Sequence, residues 1–192
     1  MDNQKPDRQK KQTSDKTKLK KKKDYWIPKI FLMSITISAI FSLVSSNVLN
    51  AAGYAVAFLL LASFIAVGIL FDMIGVAVTV AEERPFHSMA AHGEKCAVCA
   101  MRLIRSADKV SSVCNDVVGD ISGIVSGSTA AVIVTKLCTS FNLDTMILSV
   151  VISALVSGLT IGGKAIGKTV AINNSTKVVH AVSRVIYVFK KK

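Results

Sequence analysis

The chain has 192 residues, of which 51% are apolar and 19% charged, and its formal net charge is +12. A soluble domain carries about a quarter charged residues and disperses its apolar ones. Here the apolar residues are gathered into long blocks, which argues against a soluble enzyme and for an all-α integral membrane protein.

Residues 1–24 hold almost no apolar side chain besides Leu19, and ten of the 24 Lys and Arg residues fall between Lys5 and Lys23. Such a segment buries too little surface to offset its ordering entropy, so a disordered, Lys-rich cytoplasmic tail is expected. Lys20 to Lys23 stand directly before an apolar block and read as a contact with anionic lipid; protein partners could use the same lysines. No aromatic side chain interrupts the lysines, which disfavours nucleic acid. Residues 25–50 then read as an N-terminal transmembrane helix, with Tyr25 and Trp26 at its interfacial end.

Four stretches approach the length of about 20 apolar residues that a spanning helix needs: 27–49, 53–75, 117–136 and 145–163. The polar stretch between the second and third, roughly 80–112, is expected to form cytoplasmic juxtamembrane helices, with Ser88 to Ile104 as one amphipathic helix. With the N-terminus inside, four spans leave 23 of the 24 Lys and Arg residues on one side and Lys136 alone on the other. The positive-inside tendency therefore predicts a multi-pass cell-membrane protein with both termini cytoplasmic. Four cysteines without regular spacing do not make a disulfide framework. Cys96-Ala97-Val98-Cys99, with His87 and His92 nearby, lacks the further ligands of a zinc site and the βαβ setting of a redox motif.

Gly119, Gly123 and Gly127 form a stripe on the third span, and Ala154, Gly158 and Gly162 repeat it on the fourth. Small residues four apart let two helix backbones approach closely in lipid, either inside one chain or between two copies. Residues 175–190 follow as an amphipathic helix, with Val178, Val182, Val185 and Phe189 on one face and His180 and Arg184 on another. It is expected to lie in the membrane interface, and His180 reads as a polar-face residue.

Ionisable residues at membrane depth are functional candidates. Asp72 lies near the end of the second span, Asn115, Asp116 and Asp120 open the third, and Gly162, Gly163 and Lys164 close the fourth. In the four-span topology these clusters meet at one depth, and oxygen groups of this kind suit a hard cation such as Mg2+. The carboxylates at the start of the third span also fit a plain helix-dipole role. No phosphate-binding loop is present, and no nucleophile has a plausible base, so no enzyme activity is expected.

These motifs, in this order, resemble the transmembrane domain of the cyclin-M/CorC family of magnesium transporters over residues 51–192, although not its cytoplasmic regulatory domains. In that family a first span ends in Ser-x-Ser-Glu-x-Ala, a second begins Gly-Asn-Asn-x-x-Asn, and a third ends in Gly-Glu-x-x-Pro-Lys. Here the stretches read Asp72-Met73-Ile74-Gly75-Val76-Ala77, Cys114-Asn115-Asp116-Val117-Val118-Gly119 and Gly163-Lys164-Ala165-Ile166-Gly167-Lys168. The resemblance implies a homodimer that transports Mg2+. With its substitutions, the ion would be held by Asp72, Asn115 and Asp116 and by the carbonyl of Gly163. Lys164 replaces the family's glutamate and would either oppose a divalent ion or pair with a nearby aspartate in its stead. The alternative is a non-transporting membrane scaffold or assembly subunit that keeps the architecture.

Overall fold

A computed structural model of the chain describes residues 26–51, 53–141 and 144–190. The expected tail over residues 1–24, Tyr25 and the terminal Lys191-Lys192 lie outside them. All regular structure among the described residues is helical: α1 (Trp26–Ala51), α2 (Tyr54–Val80), α3 (Arg84–Ala91), α4 (Lys95–Arg105), α5 (Ala107–Ser111), a π-helical segment (Ser112–Gly119), α6 (Asp120–Phe141), α7 (Thr145–Asn173) and α8 (Ser175–Lys190). Residues 37–192 form one compact unit, and the described part of the unit before it is the first portion of α1.

Four stretches are long and apolar enough to cross a membrane: Pro28–Asn47, Tyr54–Val80, Ala107–Phe141 and Thr145–Asn173. Each overlaps one of the four expected spans, but the last three run longer. Helix α2 continues five residues past 75, the third stretch begins ten residues before 117, and α7 extends ten residues past 163. Apolar length marks the part that lipid can accept. Backbone hydrogen bonding carries on into polar sequence wherever packing holds it.

Helix α2 is the central element. It is apolar nearly all round, yet its buried residues Ala57, Leu61, Phe64, Gly68, Asp72, Gly75 and Val78 recur at three- and four-residue intervals along one face, with Ala77 buried beside them. Near one end Ala57 and Leu61 pack with Ala130 and Ile133 of α6, flanked by Ile152 and Val156 of α7. Phe41 meets the Phe64 ring edge-on, with centroids 5.6 Å apart. Ser45 and Thr129 share a buried hydrogen bond of 2.9 Å that fastens α1 to α6. Near the other end Ala77, Val78 and Ala81 join Phe86, Ala97, Ala100, Ala171 and Val179 in a second core.

Local chemistry explains the breaks between helices. Gly53 opens α2 in an extended conformation, and Ala81 closes it in another. Pro85 sits in the first turn of α3, where a missing N–H costs no helical bond. The Ser88–Ile104 stretch, expected as one helix, is two, because Gly93 adopts a left-handed φ of +85° between them. There Gly93 N–H donates to Ala90 O and Glu94 N–H to Met89 O, which closes α3 and turns α4 back against it. Asp144 caps α7 by accepting from Met146 N–H at 2.9 Å.

Helix α8 is buried through Val179 and Ser183, whereas Val185, on the expected apolar face, is 56% exposed. Ala97 and Ala100 of α4 are fully buried in the same core, and their small side chains leave room for Phe86 and Val179. His180 Nε2 pairs with Glu94 at 3.2 Å, tying α8 to the start of α4.

Phe86 is fully buried in the second core, so Phe86→Ala should cost about 3–5 kcal/mol and lower the melting temperature in detergent, read by intrinsic fluorescence. Glu83 gives a pH prediction. Arg105 donates to both carboxylate oxygens at 3.2–3.3 Å, and these hydrogen bonds hold its pKa below the ordinary 4.5. A lowered native pKa contributes stability above the unfolded-state value, lost as pH falls through the native one. Acidification below pH 4.5 should therefore lower the melting temperature of the native chain more steeply than that of Glu83→Gln.

Candidate cation site

Asp72 and Asn115, two of the polar residues picked out from sequence, lie at the second half of α2. That helix and the third long stretch run antiparallel in register. A Cβ on Gly68 would touch the Ser122 Cβ at 3.1 Å, and one on Gly75 would fall 2.0 Å from Asn115 Oδ1. Asp72 stands between these two glycines on the same face. Helix α7 closes a further side, where a Cβ on Gly163 would meet the end of the Ile69 side chain at 2.2 Å. Gly167 lies against the same isoleucine, at 3.3 Å.

Glycine leaves room at these positions for the side chains that oppose them. Gly75 leaves the space that the Asn115 amide fills. Asn115 Nδ2 donates to Ser111 Oγ at 3.2 Å, which aims Oδ1 towards α2. Residues 112–119 form a π helix, a wide turn found frequently at functional sites. At its end Gly119 lies with the Cys114 carbonyl only 3.3 Å from where a Cβ would stand, so the widened turn itself favours glycine there.

Three buried side-chain oxygen atoms near this register lack a hydrogen-bond partner: Asp72 Oδ2, Asn115 Oδ1 and Ser122 Oγ. For Ser122 this is informative. Helical Ser and Thr residues ordinarily bond back to a carbonyl one turn earlier, as Ser126 and Thr129 do on the same helix. Leaving buried oxygens unpaired is costly in an apolar setting. Ser122 and Asn115 stand opposite Gly68 and Gly75 of α2, and Asp72 lies between those two glycines.

The sequence candidates divide accordingly. Asp72 is 5% exposed, and Asn115 sits one turn along, against Gly75. Asp116 points outward and is exposed. Gly163 faces Ile69 at the α7 side. Lys164 is part-buried, with Nζ 3.7 Å from the position of a Gly119 Cβ. The ion pair to Asp72 comes from the next turn, with Lys168 Nζ 3.7 Å from Oδ2. The small-residue stripes are placed differently from the contacts. A Cβ at Gly123, Gly127, Gly158 or Gly162 would meet nothing within 4 Å, and Ala154 is exposed. Of the stripe residues Gly119 alone has a close neighbour, and the other close approaches use Gly68, Gly75, Gly163 and Gly167.

Gly68, Ser122 and Lys168 were not among the site candidates read from sequence. Gly68, four residues before Asp72, was the available signal, because small and acidic residues one turn apart mark a buried helix face. All four cysteines are free thiols. Among the described residues no three His, Cys, Asp or Glu side chains converge as metal ligands. The unpartnered oxygens are a carboxylate, an amide and a hydroxyl spread along the α2 contact, with Asn115 opposite Gly75 and Ser122 two turns away opposite Gly68. Comparison with protein-family models, curated proteins and solved structures returned no match.

Gly75→Ala should displace the Asn115 amide and destabilise the chain by about 1–3 kcal/mol, as overpacking does. Gly123→Ala has open space and should leave the melting temperature unchanged or slightly raised. Comparing the two melts in one detergent checks the α2–π-segment register.

Proposed function

We propose that this chain is a divalent-cation transporter-like membrane protein that takes Mg2+ between α2 and the π segment. The observation that carries the reading is the pair of buried, unpartnered oxygens on Asp72 and Asn115, with Ser122 Oγ a third such atom farther along the α2 contact. Carboxylate, amide and hydroxyl oxygens are the ligands a hard cation prefers, and Mg2+ ordinarily keeps several waters beside one or two carboxylates. Asp116 is an exposed neighbour that would attract the ion, and the carbonyl of Gly163 would approach from α7. The order of motifs that resembles the cyclin-M/CorC family supports the same cargo.

In this reading both termini are cytoplasmic in a cell membrane, as the Lys and Arg asymmetry favours. The apolar stretch of α7 buries no residue within the chain, since its buried residues are Gly167 and Ala171 alone. Its face bearing Ala154, Gly158 and Gly162 would be covered by a second copy. Alternating access would arise from movement of α7 against α2, where Gly163 and Gly167 keep the contact thin.

A second reading, a scaffold or assembly subunit without transport, is favoured by one observation. Lys168 stands at Asp72 where a cargo ion would otherwise compensate the carboxylate. The two readings separate in a thermal melt against MgCl2. A site that binds the folded state alone stabilises it by about 2.7 kcal/mol at one hundred times the dissociation constant. The transporter reading expects a Mg2+-dependent rise that is lost in Asp72→Asn and Asn115→Ala, together with Mg2+ flux into liposomes. A flat melt with no flux, alongside a partner cross-linked in the native membrane, would establish the scaffold instead.

A further inference from the structure

We propose that Lys168 is a tethered cation that neutralises Asp72 in the ion-free protein and that a divalent ion must displace, so that Lys168 sets the affinity of the site and its preference for double charge. The inference rests on the cation-site reading above.

Three features carry it. First, the partners are unequal: the Asp72 side chain is 7% exposed and that of Lys168 is 52% exposed. The carboxylate is fixed in the helix contact, while the ammonium has a path to water. Second, the pair is a charge contact and not a hydrogen bond. Nζ lies 3.7 Å from Oδ2, and Oδ2 has no hydrogen-bond partner. Lys168 therefore supplies charge without satisfying the hydrogen-bonding capacity of this buried oxygen. Third, the α7 backbone is held against α2 at Gly163 and Gly167 through Ile69. Displacement then needs a side-chain swing and no movement of a helix.

Charge arithmetic gives the selectivity. Exchanging the ammonium for a monovalent cation leaves the local charge unchanged and sacrifices a partner whose tether gives it a high effective concentration. A divalent ion adds a charge to the same oxygens and repels the ammonium outward. Lys164, one turn earlier on α7 and close to Gly119, makes no ion pair among the described residues. It serves as the internal control.

The test titrates MgCl2 and NaCl into the full chain in lipid nanodiscs, as the native protein, Lys168→Met and Lys168→Arg, with binding read calorimetrically. Lys168→Met should bind Mg2+ at least tenfold more tightly than the native chain and admit Na+ as a competitor. Lys168→Arg should stay within about threefold of native, because the tethered charge remains. Mg2+ binding by Lys168→Met that is equal to or weaker than native overturns the tether and leaves the cation site standing. An absence of Mg2+ binding in every form, Lys168→Met included, overturns the site and the tether with it. Should Lys168→Met fail to fold, amine-reactive labelling of the native chain decides the matter by mass spectrometry. Saturating Mg2+ should raise the labelling rate of Lys168 severalfold relative to Lys164, and an unchanged or lowered rate overturns the proposal.

Discussion

The arrangement turns on a carboxylate held inside a contact between apolar helices. Asp72 is 5% exposed on the buried face of α2. In such a setting an uncompensated charge is prohibitive, so every element around it is arranged to supply either a counter-charge or room. Helix α7 runs past its apolar stretch into Lys164 and Lys168 and so delivers an ammonium to the carboxylate. Gly68 and Gly75, on either side of Asp72, let the third long stretch approach closely. The π segment widens just where Asn115 must face α2. Without the carboxylate, the lysines that end α7 would have no polar partner there.

The distribution of side chains is the one expected of helices that pack in lipid. In water the large apolar residues go inside, whereas lipid offers no such drive, and association depends on close packing and polar contacts. The buried polar residues of the long helices are Ser45, Asp72, Ser122, Ser126 and Thr129, while Leu59, Leu70, Ile124, Leu155 and Ile161 are exposed. The cluster built on Phe86, Ala97, Ala100 and Val179 has a different character. It joins short amphipathic helices through an aromatic side chain and small partners, as a water-facing domain does. The chain thus carries two kinds of core, and α2 is long enough to take part in both.

The four long helices were legible because a run of about twenty apolar residues has few other uses. Asp72 and Asn115 were legible as candidates for the complementary reason, that polar groups are conspicuous in such runs. What remained hidden depends on pairing between helices. Gly123 and Gly127 look like a packing stripe but face open space. Gly68 and Gly75 do pack, yet carry no stripe signature because their partners, Ser122 and Asn115, lie on another helix. The counter-charge belongs to Lys168 and not to the neighbouring Lys164, a difference of one turn set by where α7 meets Ile69. The break at Gly93 was readable in principle, since glycine readily takes a positive φ. The amphipathic pattern running through it obscured the turn.

In the proposed function, the link from fold to ion exchange is the partial compensation of Asp72. A carboxylate with a hydrogen-bonded counter-ion would be inert. One with a half-exposed lysine at charge-contact distance, beside an unpartnered amide and hydroxyl, is poised to exchange partners. The most direct measurement is a double-mutant cycle in ion-free buffer on Asp72→Asn, Lys168→Met and the double variant, with stability read from thermal melts. Removing one partner of a fully buried pair costs about 3–5 kcal/mol, and somewhat less is expected here because the ammonium reaches solvent. Lys168→Met should therefore be clearly destabilised, and the double variant should recover much of that loss as a non-additive coupling. Strictly additive effects would show that Asp72 does not depend on Lys168 and would contradict the account.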